Sequence, residues 1–516
     1  MSPNLILIQF VVFTCLFMLL QASRLPRGWL VVAGLILMVL ILCFATVPEL
    51  AGWISGSLWG LFIVLPLIGY ARVNQFVVQE RYGKARRWAS ILRWFHPADG
   101  LLEYPHLLNG LELAQKGRLA EANQILGQYQ TQETATGKTA RALLYRISAQ
   151  WDDALIWTSQ FVESELLKDA TIAPVYLRSL GETGNLNALL EAVDRVEKWQ
   201  RGNVRTLSLG RLYALAFSGQ PALVYQLFNQ ALAGSPEETR QFWLATAEMA
   251  AGNGAIAQQQ LKTLRDRSDP VQQNAIDWRL AHPCPISNTP LTHASQQILA
   301  RLCTSIHQEA RYGSRSGIKA KKYRATYALI GINCLVFGIE ILVGGSEDLF
   351  VLYRLGALVP ERVLAGEWWR TIAATFLHAG TLHLTANMVG LFFFGRIVES
   401  AIGSRKFLLS YFFSGVGSMI AVTLMAQQTG SLDQLTVGAS GAVMGILGVE
   451  VAIQLKGWRQ EKARAARERF RLLLVVIGIQ FISDLITPQV SMVGHVSGLI
   501  LGFLAGMVLF QPEIGK

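Results

Sequence analysis

The sequence predicts an all-α, polytopic membrane protein in which a soluble helical segment separates two groups of apolar spans. Three observations lead there. Hydrophobic residues make up 52% of the 516-residue chain and charged residues 16%, with a mean hydropathy of +0.33, which is too apolar for a wholly soluble protein. The apolar residues are also unevenly spread, because long continuous runs flank Leu101 to Ala310, a stretch of ordinary soluble composition. Finally, the excess of 46 Lys plus Arg over 35 Asp plus Glu, a formal +11, gathers beside the apolar runs. That placement marks cytoplasmic flanks of a membrane protein, and no nucleic-acid partner is expected. The five cysteines contain no CxxC pair, so neither a disulfide framework nor a zinc site is indicated, and Cys15, Cys43 and Cys334 lie in apolar runs where a thiol acts as a small hydrophobe.

Crossing the hydrocarbon core takes about 20 mostly apolar residues, with roughly 17 tolerated. Three candidates precede the soluble stretch: Asn4 to Leu20, Trp29 to Val47 and Trp53 to Tyr70. No Lys or Arg precedes the first and no small-residue cleavage site follows it, so it reads as a span and not as a signal peptide. Six more follow: Tyr327 to Gly344, His378 to Val398, Phe407 to Ala426, Val437 to Leu455, Phe470 to Ile486 and Met492 to Phe510. The chain therefore divides into three N-terminal transmembrane helices (1–72), a basic linker (73–100), a soluble region (101–310), a second basic linker (311–326) and a six-span domain (327–511). By the positive-inside rule, Arg24, Arg27, the groups Arg72 to Arg93 and Arg311 to Arg324, and the loops Arg396 to Lys406 and Lys456 to Arg471 are cytoplasmic. One alternating topology satisfies all of them, with the N-terminus outside, the C-terminus inside and the soluble region in the cytoplasm. A bacterial inner membrane is the expected location.

Within the soluble region, small residues that open a turn recur at Gly117, Ala149, Gly184, Gly219 and Gly252, close to the period of about 34 residues of tetratricopeptide helix pairs. A solenoid of about five degenerate repeats follows, because such a pair cannot bury its apolar face alone and stacks on its neighbours. The solenoid leaves a groove for a cytoplasmic protein partner; an unrelated helical bundle is the alternative. Ala281 to Thr292, rich in Pro, Ser, Thr and Asn, reads as a linker.

Polar side chains inside a bilayer are expensive and are functional candidates by default. His383 and Asn387, in HAGTLHLTANM, are four apart and share a helix face. Ser440 lies in GASGAVMG and His495 in GHVSGLILG, each at the head of a later span. These are alternate spans running in the same direction, and each polar residue falls within about two turns of the outer end, roughly 5 to 10 Å deep. Gly441, Gly445 and Gly448 line one stripe and Gly498, Gly502 and Gly506 another, which lets two backbones approach. A serine beside a histidine supplies a nucleophile and a general base. The chemistry this suits is acyl transfer, with an oxyanion held by Asn387, His383 and the Ser440 N–H. Taken singly, Ser440 is a packing residue between glycines and His495 a satisfied interhelical hydrogen bond; together at one depth the four residues describe a site. Asp484, near the outer end of the Phe470 to Ile486 span, invites completion of a triad but is set aside, since a helix cap or loop hydrogen bond accounts for it equally well, and His378 reads as a residue lining the outer loop.

These motifs resemble those of the rhomboid intramembrane serine proteases: GASG with its serine, the later HxxGxxxG, the earlier HxxxN, and Trp369-Arg370 in GEWWRTIAATFLHAG. The resemblance covers Tyr327 to Phe510. It implies a six-helix rhomboid-like bundle, a Ser440 and His495 dyad without a carboxylate, and an oxyanion site formed by Asn387, His383 and the Ser440 backbone. It further implies an outer loop partly embedded in the membrane surface around Trp369 and Arg370, transmembrane protein substrates, contact with membrane lipid, and no metal or cofactor. Met444 stands where many members carry an aromatic residue packed on the histidine. Two other readings compete: a non-proteolytic relative that binds transmembrane clients with the repeats as adaptor, and a transporter scaffold, which would need polar residues through the full bilayer.

Overall fold

A computed structural model of the chain describes residues 3–20, 27–95, 102–131, 134–199, 204–283, 290–312, 323–486 and 491–511. Arg24, most of the basic stretch before the second group of spans, the middle of the Ala281 to Thr292 linker and most of the Thr487 to Ser491 loop lie outside the described residues. Among the described residues the structure is helical, apart from an isolated antiparallel bridge between Leu358 and Thr436. They fall into two compact units, Met1–Leu302 and Cys303–Lys516.

The first unit opens with Pro3–Leu20, Arg27–Thr46 and a continuous helix over Ala51–Val78. Val11, Cys15, Ala33, Ile36, Leu40 and Ile63 are buried between them, and Phe10 meets the edge of Trp59 at 5.5 Å between centroids. Met38, Ile41, Leu42 and Ile68 project outward and stay exposed, as expected of a surface solvated by lipid. Beyond them come helix pairs. Tyr104–Gln115 pairs with Leu119–Gly127, Ala135–Ser148 with Trp151–Thr158, and Ile172–Glu182 with Leu186–Trp199. Val204–Phe217 pairs with Pro221–Phe228, and Glu237–Ala250 with Gly254–Arg265. Each pair turns through a residue at positive φ: Gly117 (82°), Ala149 (55°), Gly184 (80°), Gly219 (68°) and Gly252 (96°). A left-handed residue closes a helix, and the small residues picked out in the sequence occupy all five positions. A buried charge cluster ties distant pairs: Glu182 takes Arg279 on one side and Arg178 at 3.1 Å on the other. The Arg178 guanidinium lies 4.2 Å from the Trp151 ring and 5.0 Å from Trp243.

The second unit contains α1 (Arg324–Val343), α2 (Thr381–Ile402), α3 (Ser404–Thr429), α4 (Ser440–Gln460), α5 (Arg464–Ile486) and α6 (Met492–Leu509). With Arg27–Thr46 and Ala51–Val78, helices α1, α2, α3 and α6 make six, among the described residues, that are long and apolar enough to cross a membrane; the protein is an integral, multi-pass membrane protein. Helix α4 is as long but carries Glu450, Lys456 and Arg459; Glu450 is tolerated because protein surrounds it, while Lys456 and Arg459 lie near the C-terminal end of the helix, past its fully buried stretch. Every residue from Gly441 to Gln454 is buried, and Glu450 meets Arg469 of α5 at 2.7 Å.

Glycine explains how α4 comes to lie so deep. Gly441 and Gly445 back onto Gly498 and Gly502 of α6, and a Cβ on Gly506 would sit 2.8 Å from the Ala452 Cβ. On the opposite flank, α4 rests on Ser414, Gly415 and Ser418 of α3. In lipid, helices associate through such close packing and not through a hydrophobic driving force. Helix α2 widens to a π turn at Leu391–Gly395. Near its C-terminal end the buried Glu399 receives Ala325 N–H (3.0 Å), Thr326 N–H (2.9 Å), the Thr326 hydroxyl (2.7 Å) and the Ser404 hydroxyl (2.6 Å), satisfying the start of α1.

Between α1 and α2 the chain forms the short helices Leu349–Leu355, Pro360–Leu364 and Arg370–Ala373. Trp368 and Trp369 are exposed, whereas Arg370 turns inward. Its Nη1 donates to the carbonyls of Tyr353 (2.8 Å) and Ala357 (3.1 Å), and its Nε to Glu367 (2.6 Å). This segment grips the strand-like approach to α4: Leu358 and Thr436 exchange backbone bonds of 3.0 and 2.9 Å, and Gly438 N–H donates to Ala374 at 2.9 Å.

Candidate active site

Ser440 is the first residue of α4 and is half-buried. The chain enters the helix through Gly438, at φ 129°, a conformation that side-chain-bearing residues rarely adopt. Space demands glycine there too. A Cβ at Gly438 would lie 2.7 Å from His383 Nε2 and 3.7 Å from Asn387 Nδ2. The two α2 side chains, one turn apart, are thus pressed against the loop two residues ahead of Ser440. Asn387 is buried, yet its Nδ2 has no hydrogen-bond partner among the described residues. Leaving a buried donor unpaired costs about 1–3 kcal/mol, which is reasonable where an incoming acceptor is to be held.

His495 lies in the first turn of α6 and is buried. It follows Gly494, whose carbonyl oxygen lies 3.5 Å from the Cβ position of Gly441, the residue after Ser440. The glycine seam therefore brings the heads of α4 and α6 together and α2 supplies His383 and Asn387, so the four residues read from sequence gather in one region. Among the described residues no hydrogen bond joins the Ser440 hydroxyl to His495; catalytic hydrogen bonds often tighten only once substrate is bound. The imidazole Nδ1 instead lies 2.8 Å from Asp484 Oδ2.

Two side chains were underrated by sequence reasoning. Asp484, read as a cap or loop hydrogen bond, is buried against His495. His378, read as lining the outer loop, is fully buried and braces the serine loop. Its N–H donates to Glu340 Oε1 at 3.1 Å, its Nδ1 pairs with the Phe376 carbonyl at 3.1 Å, and its Nε2 receives Ala439 N–H at 3.5 Å. Its ring also meets that of His383 edge-on at 5.3 Å. The signal available was Glu340, a carboxylate in an otherwise apolar span that needed a donor. Met444 packs in an apolar cluster with Leu447, Val451 and Leu473, against Phe394 and Phe470. Among the described residues no group of three or more His, Cys, Asp or Glu has the arrangement of a metal site.

Comparison with known proteins bears on the same region. A family model described as the Rhomboid domain matches residues 365–512. The chain is similar to "Rhomboid protease GluP" of Bacillus subtilis (strain 168), 30% identical over 190 residues, which is 37% of this chain and 36% of that protein. It is 36% identical over 166 residues to "RHOMBOID-like protein 6, mitochondrial" of Arabidopsis thaliana, 32% of this chain and 52% of that one. The chain thus spans about a third to a half of the length of these two relatives. It is also 34% identical over 167 residues to "Putative rhomboid protease YdcA" of Bacillus subtilis (strain 168), 32% of this chain but 77% of that protein. With that relative matched over most of its length, and with the serine, histidine and asparagine motifs gathered on three helix ends, the chain belongs to the rhomboid family.

Proposed function

We propose that this protein is an intramembrane serine endopeptidase that hydrolyses peptide bonds in or near the transmembrane helices of membrane-protein substrates. Ser440 Oγ attacks the scissile carbonyl carbon while His495 takes its proton, because a hydroxyl is a weak nucleophile until a base acts on it. The carbonyl oxygen becomes an oxyanion, held by Asn387 Nδ2, His383 and the Ser440 N–H. One such donor is worth roughly 2.7–4 kcal/mol of barrier. Collapse expels the amine, which takes the proton from His495, and water then attacks the acyl-serine by the same route in reverse.

The observation that carries this reading is the unpaired Asn387 amide, set with His383 against Gly438 two residues before Ser440. The names of the relatives GluP and YdcA as proteases support it. The distribution of Lys and Arg supports a site opening to the outer side of a bacterial inner membrane, with residues 101–310 as a cytoplasmic tetratricopeptide-type solenoid that docks a protein partner. The test uses the full chain in vesicles with a helical membrane substrate and a mechanism-based serine probe. Ser440→Ala and His495→Ala should each abolish cleavage, and the probe should label wild type but not Ser440→Ala. Cleavage retained by either variant would remove the dyad. A wild-type protein that neither cleaves nor labels would favour the non-proteolytic, client-binding alternative.

A further inference from the structure

Asp484 sits near the outer end of α5 with its carboxylate almost fully enclosed: its side chain is 1% exposed and that of His495 9%. A carboxylate at that position in a membrane-spanning helix is costly and is kept where it has a partner and a task. Both of its oxygens are engaged. Oδ2 lies 2.8 Å from His495 Nδ1, and Oδ1 accepts from Gln480 Nε2 at 2.8 Å, one turn earlier on the same face of α5. Gln480 thereby sets the plane of the carboxylate, and the remaining oxygen is directed at the imidazole.

We propose that Asp484 is a positioning residue for His495, so that the peptidase works with an Asp484–His495–Ser440 arrangement and not with an unsupported dyad. This rests on the reading that Ser440 and His495 do the chemistry. A carboxylate can only accept a hydrogen bond from Nδ1, so it holds the imidazole in the Nδ1–H tautomer and leaves Nε2 with the free lone pair needed to take the serine proton. When Nε2 becomes protonated in the transition state, the adjacent carboxylate stabilises the imidazolium without itself accepting the proton. The carboxylate comes from α5 and the histidine from α6, so the base is aimed by a neighbouring helix that contributes neither the nucleophile nor an oxyanion donor.

Asp484→Asn keeps the shape but lets an amide N–H donate to Nδ1, which favours the wrong tautomer. Its kcat on a helical membrane substrate should fall about 10²- to 10⁴-fold with KM within a factor of about two, whereas a merely structural role would change the amount of folded protein and leave kcat per labelled site intact. Wild-type kcat in the folded variant would overturn the proposal. Should Asp484→Asn fail to fold, imidazole ¹⁵N resonances in the otherwise intact Ser440→Ala protein decide the question. Protonated Nδ1 and unprotonated Nε2 for His495 at neutral pH support it, and the opposite tautomer overturns it. Probe labelling of Ser440 in wild type, measured alongside, separates the two levels: labelling with an unaffected Asp484→Asn rejects only the carboxylate's role, and absent labelling rejects the peptidase reading itself.

Discussion

Replacing Gly498 with alanine would put one methyl group where the α4 and α6 backbones touch. The added Cβ would lie 2.9 Å from the Gly441 carbonyl carbon and 3.1 Å from its Cα. Carbon atoms rest at about 3.5–4.0 Å, and the Gly441 carbonyl oxygen lies closer still to the added methyl, so the helices must part by about 1 Å or more. Neither neighbour can yield by changing rotamer, because the obstructing atoms are backbone. Gly441 is bonded to Ser440 and Gly498 lies one turn below His495, so the displacement is delivered to those two residues. A misplacement of about 1 Å can cost on the order of 10²-fold in turnover, and overpacking a tight seam costs about 1–3 kcal/mol of stability. The assay is kcat on a helical substrate in vesicles, together with thermal unfolding. Gly338→Ala on α1, where a Cβ meets nothing within 4 Å, is the control and should preserve both. A Gly498→Ala protein with wild-type turnover and stability would show that the seam does not set the geometry of the site.

Three further outcomes are expected. Asn387→Ala should lower turnover by one to three orders of magnitude, as loss of an oxyanion donor does, with little change in melting temperature because the amide has no partner to lose among the described residues; unchanged turnover would make Asn387 structural. Glu399→Gln turns one of the two oxygens that receive donors from Ala325, Thr326 and Ser404 into a further donor, and should cost about 1–3 kcal/mol in unfolding measurements; an unaltered melting temperature would refute that. In the first unit, burial pushes the Tyr82 hydroxyl from 10.0 up to about 12. Its contribution to stability is therefore complete below the unfolded value and is lost as pH rises through the folded one. Tyr82→Phe should flatten the alkaline limb of circular-dichroism melts, and a limb identical to wild type would reject the assignment.

What the sequence made legible was whatever depends on local chemistry. The five turn positions could be read because a left-handed turn selects small residues whatever surrounds it. Ser440, His495, His383 and Asn387 could be read because polar groups in apolar spans stand out, and because alternate spans place them at one depth. The partnership of Asp484 with His495 could be raised from sequence but not decided: eleven residues and a change of helix separate them, and their meeting depends on how α5 is rotated about its own axis, which no periodicity records. His378 escaped for a related reason, since its role appears only when the Ser440 loop folds back onto it. Helix α4 is less apolar than its depth implies because hydropathy counts Glu450 as a cost, while the structure offsets it with Arg469 on the next helix.

The π turn in α2 has a consequence for angles along that helix. Asn387 and Glu399 are twelve positions apart, and in an uninterrupted α-helix, at about 100° per residue, they would point roughly 120° away from each other. A single widened turn absorbs one residue, which leaves eleven effective steps and a discrepancy of only about 20°. One helix can then present its amide to the serine loop and its carboxylate to the start of α1 at the same time. Shortening the chain by one residue inside 391–395 would restore regular winding and keep both side chains aligned, whereas the same deletion elsewhere between them would swing one of them aside by about 100°. Tolerance to a missing residue is thus confined to a single turn of this helix.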